Sequence, residues 1–269
     1  MTAAPQDEGL APLLAQIAGA RGLACDGYKP SCLRRRLAVR MRARGVHTYA
    51  AYADVLRRDA AEYDRLLDAL TINVTKFFRN RETWDVLAAA FLPALWAERG
   101  GVRCWSAGCA SGEEPYSVAI LLLEHARTTG ADVAACAVDA TDLDPTVLER
   151  ARAGSYRAPA LDETPPALVS RYFEGADPWR VTAPVRDLVR WHRHDLLRDA
   201  PPAAPYDLIT CRNVVIYFER PNQERLYHAF ADALRPGGLL VLGKVETLVG
   251  AVRDRFRLED VRERVYRLR

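Results

Sequence analysis

The sequence is short of several things, and each shortage excludes something. No run approaches the ~18–20 apolar residues of a membrane-spanning helix. The opening Met1-Thr-Ala-Ala-Pro-Gln-Asp-Glu8 lacks a basic segment leading into an apolar one. These features predict a cytoplasmic protein with no membrane insertion. The six cysteines form no Cys-x-x-Cys pair and have no histidine at zinc-binding spacing. Four of them, Cys104, Cys109, Cys136 and Cys211, lie in or beside predicted strands, so reduced packing thiols are predicted and no metal. The G-x-G-x-x-G dinucleotide signature is missing. A net charge of +3 over 269 residues does not suggest bulk nucleic-acid binding. Acid is also missing locally: between Asp26 and Asp54 there is none, against Lys29 and six arginines.

What is present centres on residues 105–118, Trp-Ser-Ala-Gly-Cys-Ala-Ser-Gly-Glu-Glu-Pro-Tyr-Ser-Val. Upstream, Val102 to Trp105 reads as a short buried strand. Downstream, Tyr116, Val118, Ala119, Leu122 and Leu123 recur with helical spacing. Gly108 and Gly112 let the turn between them lie close to a ligand at a helix N-terminus. Glu113 and Glu114 sit where a pyrophosphate would be repelled, so the fitting ligand is cationic or a polyol. An adenosyl sulfonium compound is both.

Residues 10–70 read as helices that form a small bundle. Leu10, Leu13, Leu14 and Ile17 follow helical spacing, as do Tyr49, Tyr52, Ala53 and Leu56 behind a Thr48 cap, and Tyr63, Leu66, Leu67 and Leu70. The helix from Ser31 to Arg44 carries an apolar stripe of Leu33, Leu37 and Met41. Beside it run Arg36, Arg40 and Arg44 at i, i+4, i+8, with Arg34, Arg35 and Arg42 nearby. Like charges four apart destabilise a helix by a few tenths of a kcal/mol each, which favours an acidic partner surface, with nucleic acid as the rival. Residues 71–80 break the pattern as a linker whose Phe77 and Phe78 need cover. A helix follows from Arg81, interrupted or kinked at Pro93.

From Val102 onward strands and helices alternate, which predicts a parallel α/β sheet covered on both faces. The second strand is Val133 to Thr141. At its carboxyl end Asp144 caps a helix opened by Pro145, which leaves Asp142 to hold ribose hydroxyls. Tyr206 to Thr210 and Leu239 to Leu242 are further core strands, and the chain closes in a hairpin. Residues 171–195 read as turn-bounded strands without a helix, a small antiparallel insertion. Its last strand enters the main sheet and brings Asp195 to the ligand edge, with His192 and His194 as half-exposed strand residues.

Thr71-Ile-Asn-Val-Thr-Lys-Phe-Phe-Arg79, Trp105 to Ser117, Ala140-Thr-Asp-Leu-Asp144 and Cys211-Arg-Asn-Val-Val-Ile-Tyr-Phe218 occur in this order. With them the chain resembles the CheR family, chemotaxis-receptor glutamate methyltransferases that use S-adenosylmethionine. The resemblance implies a Rossmann-like class I methyltransferase domain over 81–269 with an antiparallel insertion at about 171–193. A linker over 71–80 and a helical receptor-recognition domain over 1–70 precede it. It implies that Asn73, Thr75 and Arg79 close over the cofactor, that Glu114 faces it, and that Asp142 holds its ribose. Asp195 and Leu196 would meet the adenine, although the family often has Asn in place of this Asp. Cys211, Arg212 and Asn213 complete the cofactor set. Arg79 and Tyr217 are the implied catalytic positioners.

Arg34, Arg36, Arg40 and Arg44 match the family's basic helix, whose partner is the acidic helical cytoplasmic domain of a chemoreceptor. Two departures stand out. The Glu174 to Trp179 loop is shorter than in members that tether to a receptor's carboxyl-terminal peptide, so no tether is predicted. The family's G-H-S-E reads Gly243-Lys-Val-Glu246. The alternative readings are an S-adenosylmethionine enzyme acting on a small molecule and a non-catalytic module that binds the cofactor or nucleic acid.

Overall fold

A computed structural model describes residues 9–21, 25–70 and 75–269. The chain divides into two compact units, Met1–Ile72 with Tyr217–Asn222, and Asn73–Ile216 with Gln223–Arg269.

The first unit holds helices α1 (Leu10–Arg21), α2 (Pro30–Ala43), α3 (Tyr49–Arg58) and α4 (Ala60–Leu70). Pro30 starts α2 where a missing N–H costs nothing, and the Thr48 hydroxyl caps α3 by accepting from the Ala51 N–H. The apolar stripes meet inside: Leu13, Ile17, Leu33, Leu37, Tyr52, Leu56 and Leu66 are buried. The segment from Tyr217 joins this unit by backbone pairing. Lys29 N–H donates to the Tyr217 carbonyl (2.8 Å) and Glu219 N–H to the Gly27 carbonyl (3.0 Å), with the Tyr28 and Phe218 rings edge to face.

The second unit begins with α5 (Arg81–Val86), a π-turn over Leu87–Phe91 and α6 (Leu92–Arg99). The interruption foreseen at Pro93 lies one turn earlier. Pro93 cannot donate to the preceding turn, and the ladder adjusts by letting the Leu92 N–H reach back to Leu87. Then come β1 (Arg103–Ala107), α7 (Glu113–Thr129), β2 (Ala137–Asp142), α8 (Pro145–Ala153), β3 (Ser155–Tyr156), α9 (Pro166–Tyr172), β4 (Phe173–Gly175) and β5 (Trp179–Val181). The series ends with α10 (Ala183–Asp187), β6 (Val189–Arg193), β7 (Tyr206–Cys211), α11 (Arg220–Ala233), β8 (Leu234–Leu242), β9 (Phe256–Asp260) and β10 (Val265–Leu268).

The main sheet runs β6-β2-β1-β7-β8-β10-β9. Strands β6, β2, β1, β7 and β8 are parallel, and the closing hairpin of β9 and β10 is antiparallel, so the sheet is mixed. The chain leaves β1 toward β2 and β6 on one side and crosses from β6 to β7 on the other side of β1, and this reversal opens a crevice at the carboxyl ends of β1 and β7. Strand β7, buried throughout, and β1, buried from Cys104 to Ala107, form the middle of the core, with Trp105 and Tyr206 among its largest side chains.

Three local expectations are corrected. The second strand starts at Ala137, because Val133 to Cys136 closes a turn through the Cys136 N–H to Val133 carbonyl bond. The small sheet, β3-β5-β4, draws one strand from before the expected insertion, and the five-residue helix α10 separates it from β6. His194 is buried rather than half-exposed: β6 ends at Arg193, the alternation stops there, and the imidazole lies edge-on to Trp105 and donates to the Ala200 carbonyl.

Candidate functional site

The turn after β1 is tied to the end of β2. The N–H groups of Gly108 and Cys109 both donate to the Thr141 carbonyl at 2.9 Å, and Ala110 N–H donates to Asp142 Oδ2 at 2.9 Å. Gly112 has φ +95°, and a Cβ there would stand 2.8 Å from both Ala151 Cβ and Trp191 Cη2 and 3.0 Å from the Tyr156 hydroxyl. No other residue type fits. Helix α7 starts next, and Glu113 lies buried in its first turn, accepting from the Ser111 hydroxyl (2.7 Å). Burial pushes the Glu113 carboxyl up to about 7.

Glu114, one residue on, points to the crevice side. Its Oε1 accepts from the hydroxyls of Ser106 on β1 (2.9 Å) and Thr210 on β7 (2.7 Å), and its Oε2 lies 3.7 Å from Arg212 Nη1. Those two hydroxyls point to Glu114 only in three dimensions, and their sequence carries no signal for it. Asp142 accepts two backbone N–H bonds, from Ala110 and from Asp144 (3.0 Å). Loss of solvation nevertheless pushes its carboxyl up to about 6. Asp144 caps α8 as expected, accepting from the Thr146 N–H.

At the end of β6, Asp195 Oδ1 accepts from the Leu197 N–H (2.9 Å), while Leu196 is half-buried in the same turn. Buried Asp195 Oδ2 has no hydrogen-bond partner among the described residues, and Arg198 Nε lies 3.9 Å away. At the end of β7, Cys211 is a buried free thiol. Arg212 is buried against the Trp84 ring (5.2 Å) and donates to the Arg79 carbonyl (2.8 Å) and to Asn80 Oδ1 (3.1 Å). Asn213 holds φ +61°, and its side-chain Oδ1 is buried without a partner.

The chain that precedes α5 folds onto this edge. Phe77 and Phe78 are fully buried. Phe78 N–H donates to the Ser117 hydroxyl (2.9 Å), and Trp84 Nε1 joins Arg212 at the Arg79 carbonyl. Thr75 and Arg79 are half-buried here; Asn73 lies outside the described residues. Tyr217 belongs to the helical unit.

The structure thus brings Thr75, Arg79, Glu114, Asp142, Asp195, Leu196, Cys211, Arg212 and Asn213 into one unit, with Glu114, Asp142, Asp195 and Cys211 to Asn213 at consecutive strand ends. Carboxylates at the glycine turn suit a positively charged sulfur and a ribose diol. Unsatisfied buried acceptors on Asp195 and Asn213 suit amine and hydroxyl donors. The residues present therefore fit an adenosyl sulfonium cofactor.

The arginines of α2 do not form one uniform face. Arg40 makes a two-pronged pair with Glu62, Nε to Oε1 at 3.0 Å and Nη2 to Oε2 at 2.8 Å, and the Tyr52 hydroxyl adds a third bond. Glu62 is fully buried, and these donors hold its carboxyl below the usual range despite burial. Arg44 pairs with Asp59 at 3.2 Å. Arg34, Arg35 and Arg42 are exposed, and Arg36 is half-buried.

Comparison with known proteins agrees with this geometry. The family model described as "CheR methyltransferase, SAM binding domain" matches residues 73–265, and "CheR methyltransferase, all-alpha domain" matches residues 8–71. A chemotaxis protein methyltransferase of Listeria innocua is 38% identical over 85% of this chain and 86% of its own. One of Klebsiella aerogenes is 36% identical over 87% and 81%. Chemotaxis protein methyltransferase 2 of Pseudomonas aeruginosa is 36% identical over 86% and 83%. The chain belongs to the CheR methyltransferase family and takes S-adenosylmethionine as its methyl donor.

Proposed function

We propose that the protein transfers a methyl group to glutamate side chains on the acidic helical cytoplasmic domain of a chemoreceptor, forming methyl esters for sensory adaptation. The observation that carries this reading is the joining of two features in one chain: acids ranged along the cofactor edge, and a helix, α2, that has arginines and no acid. A small-molecule substrate would not call for the second feature.

In this reading Asn73, Thr75, Arg79, Glu114, Asp142, Asp195, Leu196, Cys211, Arg212 and Asn213 hold the cofactor, which supplies a methyl group made electrophilic by its positive sulfur. The acceptor needs no general base, because a glutamate with a pKa of about 4.3 is ionised at neutral pH. The barrier lies in stripping water from an anion and a cation and aligning them, and a closed, ordered site supplies both. Arg79 and Tyr217 orient the carboxylate. A tight ion pair from Arg79 would quench the nucleophile, so orientation with modest charge contact is its role.

Arg34, Arg36, Arg40 and Arg44 form the substrate set. Arg40 and Arg44 pair with Glu62 and Asp59; Arg34, Arg35 and Arg42 are exposed on α2, and Arg36 is half-buried. Measuring turnover of Arg79→Ala alongside its cofactor affinity tests the mechanism. Slower transfer with retained binding is expected, and a wild-type rate would remove Arg79 from it.

A further inference from the structure

The departure Gly243-Lys-Val-Glu246 from the family's pattern leaves two residues in place, the opening glycine and the terminal acid. Glu246 is buried, and among the described residues its carboxylate accepts from backbone N–H groups. Oε2 accepts from the Gly243 N–H (2.7 Å) and the Asn213 N–H (2.8 Å), and Oε1 accepts from the Ile216 N–H (3.3 Å). One side chain thus bridges the carboxyl end of β8 to the carboxyl end of β7 and to the turn after it. A buried carboxylate costs free energy unless its oxygens are satisfied, so the cluster is a rigid unit.

What it holds is a left-handed turn. Asn213 sits at φ +61°, in the region that asparagine enters more readily than other non-glycine residues. In that conformation its backbone N–H turns into the carboxylate, and Oδ1 stays buried without a partner. Gly243 completes the fit: a Cβ there would stand 2.6 Å from Glu246 Oε2, 2.9 Å from the Asn213 N and 3.0 Å from Asn213 Nδ2. The altered middle of the segment faces elsewhere. Lys244 pairs with Glu82 (2.9 Å) and Glu263 (3.4 Å), and Val245 is exposed.

We propose that Glu246 is a positioning residue of the cofactor site, clamping β7 to β8 so that Asn213 is held with a free acceptor toward the ligand. This rests on residues 211–213 belonging to that site. The role is order rather than contact: Glu246 holds Asn213 through its N–H while fixing the neighbouring Gly243 and Ile216 N–H groups, and losing the carboxylate frees the turn to move.

The test uses the full chain with Glu246→Gln, Gly243→Ala and the double variant. Calorimetric titration with S-adenosylhomocysteine is run beside thermal unfolding, well below each unfolding midpoint. Glutamine keeps the volume but cannot accept from all three donors, and the alanine methyl displaces the carboxylate without removing it. Each single variant is expected to weaken binding tenfold or more. The double variant should weaken it no further than about twofold beyond the worse single, because both disturb the same contact among Gly243, Glu246 and Asn213. Lowered unfolding midpoints with affinity within twofold of wild type would overturn the proposal, and so would fully multiplicative losses. Should Glu246→Gln fail to fold, Gly243→Ala alone decides on the same affinity criterion. The readout needs no methyl acceptor, so failure of the glutamate substrate would leave it intact.

Discussion

Asp142 makes the pH dependence of cofactor binding predictable. Its carboxyl lies at about 6 in the free protein, against 3.8 in an open chain, chiefly because burial strips its solvation and secondarily because Asp144 is near. That shift corresponds to about 3 kcal/mol favouring the protonated form on folding. The free protein therefore carries this cost fully above pH 6 and sheds it as pH falls from 6 toward 4. A ribose diol donating to the carboxylate reverses the preference, since it stabilises the ionised form. Affinity for S-adenosylhomocysteine should hold above pH 7 and fall about tenfold between pH 7 and pH 5, one proton being expelled on binding. Neither the amine nor the carboxylate of that ligand titrates within the window.

Calorimetry in two buffers of different ionisation enthalpy measures the affinity and the proton count together. Asp142→Asn should bind more weakly at pH 7 and lose the slope. A flat wild-type profile from pH 7 to pH 5 would refute the reasoning. A transition near 7 that persists in Asp142→Asn would assign the effect to Glu113 instead, whose carboxyl lies at about 7.

Other outcomes follow from the same geometry. Gly112→Ala combines left-handed strain of about 1–2 kcal/mol with overpacking of about 1–3 kcal/mol, so its unfolding midpoint should drop by several degrees and its cofactor affinity should fall; an unchanged midpoint would contradict the packing against Trp191. Glu62→Gln breaks the buried pair with Arg40, at about 3 kcal/mol, and should destabilise the helical unit while leaving S-adenosylhomocysteine affinity unaltered. Charge reversal at Arg35 and Arg42 should raise the KM for a receptor fragment about tenfold at low salt and less at high salt, with the cofactor constant unmoved; equal methylation at all salts would remove α2 from recognition.

The features legible in the sequence are those whose signal is local. The Thr48 cap, the Asp144-Pro145 helix start and the Gly108 to Gly112 turn each depend on residues within a few positions, and the structure forms all three. What escaped depends on partners far along the chain. Arg40 reads as one more arginine of a cationic stripe, because nothing within α2 reveals that the buried Glu62 of α4 will pair with it. Helix α10 is five residues long, too short for any periodicity, and β3 is two residues whose partner β5 lies more than twenty positions on. Glu246 was visible as a motif, but its use as a three-way clamp required the ends of β7 and β8 to be side by side.

The most direct measurement supplies methyl-labelled S-adenosylmethionine and receptor cytoplasmic fragments to the wild-type protein and locates the label. The account predicts label on glutamate side chains, released by mild alkali as an ester is. Label on another residue type, or none on the receptor while the cofactor binds, would contradict it.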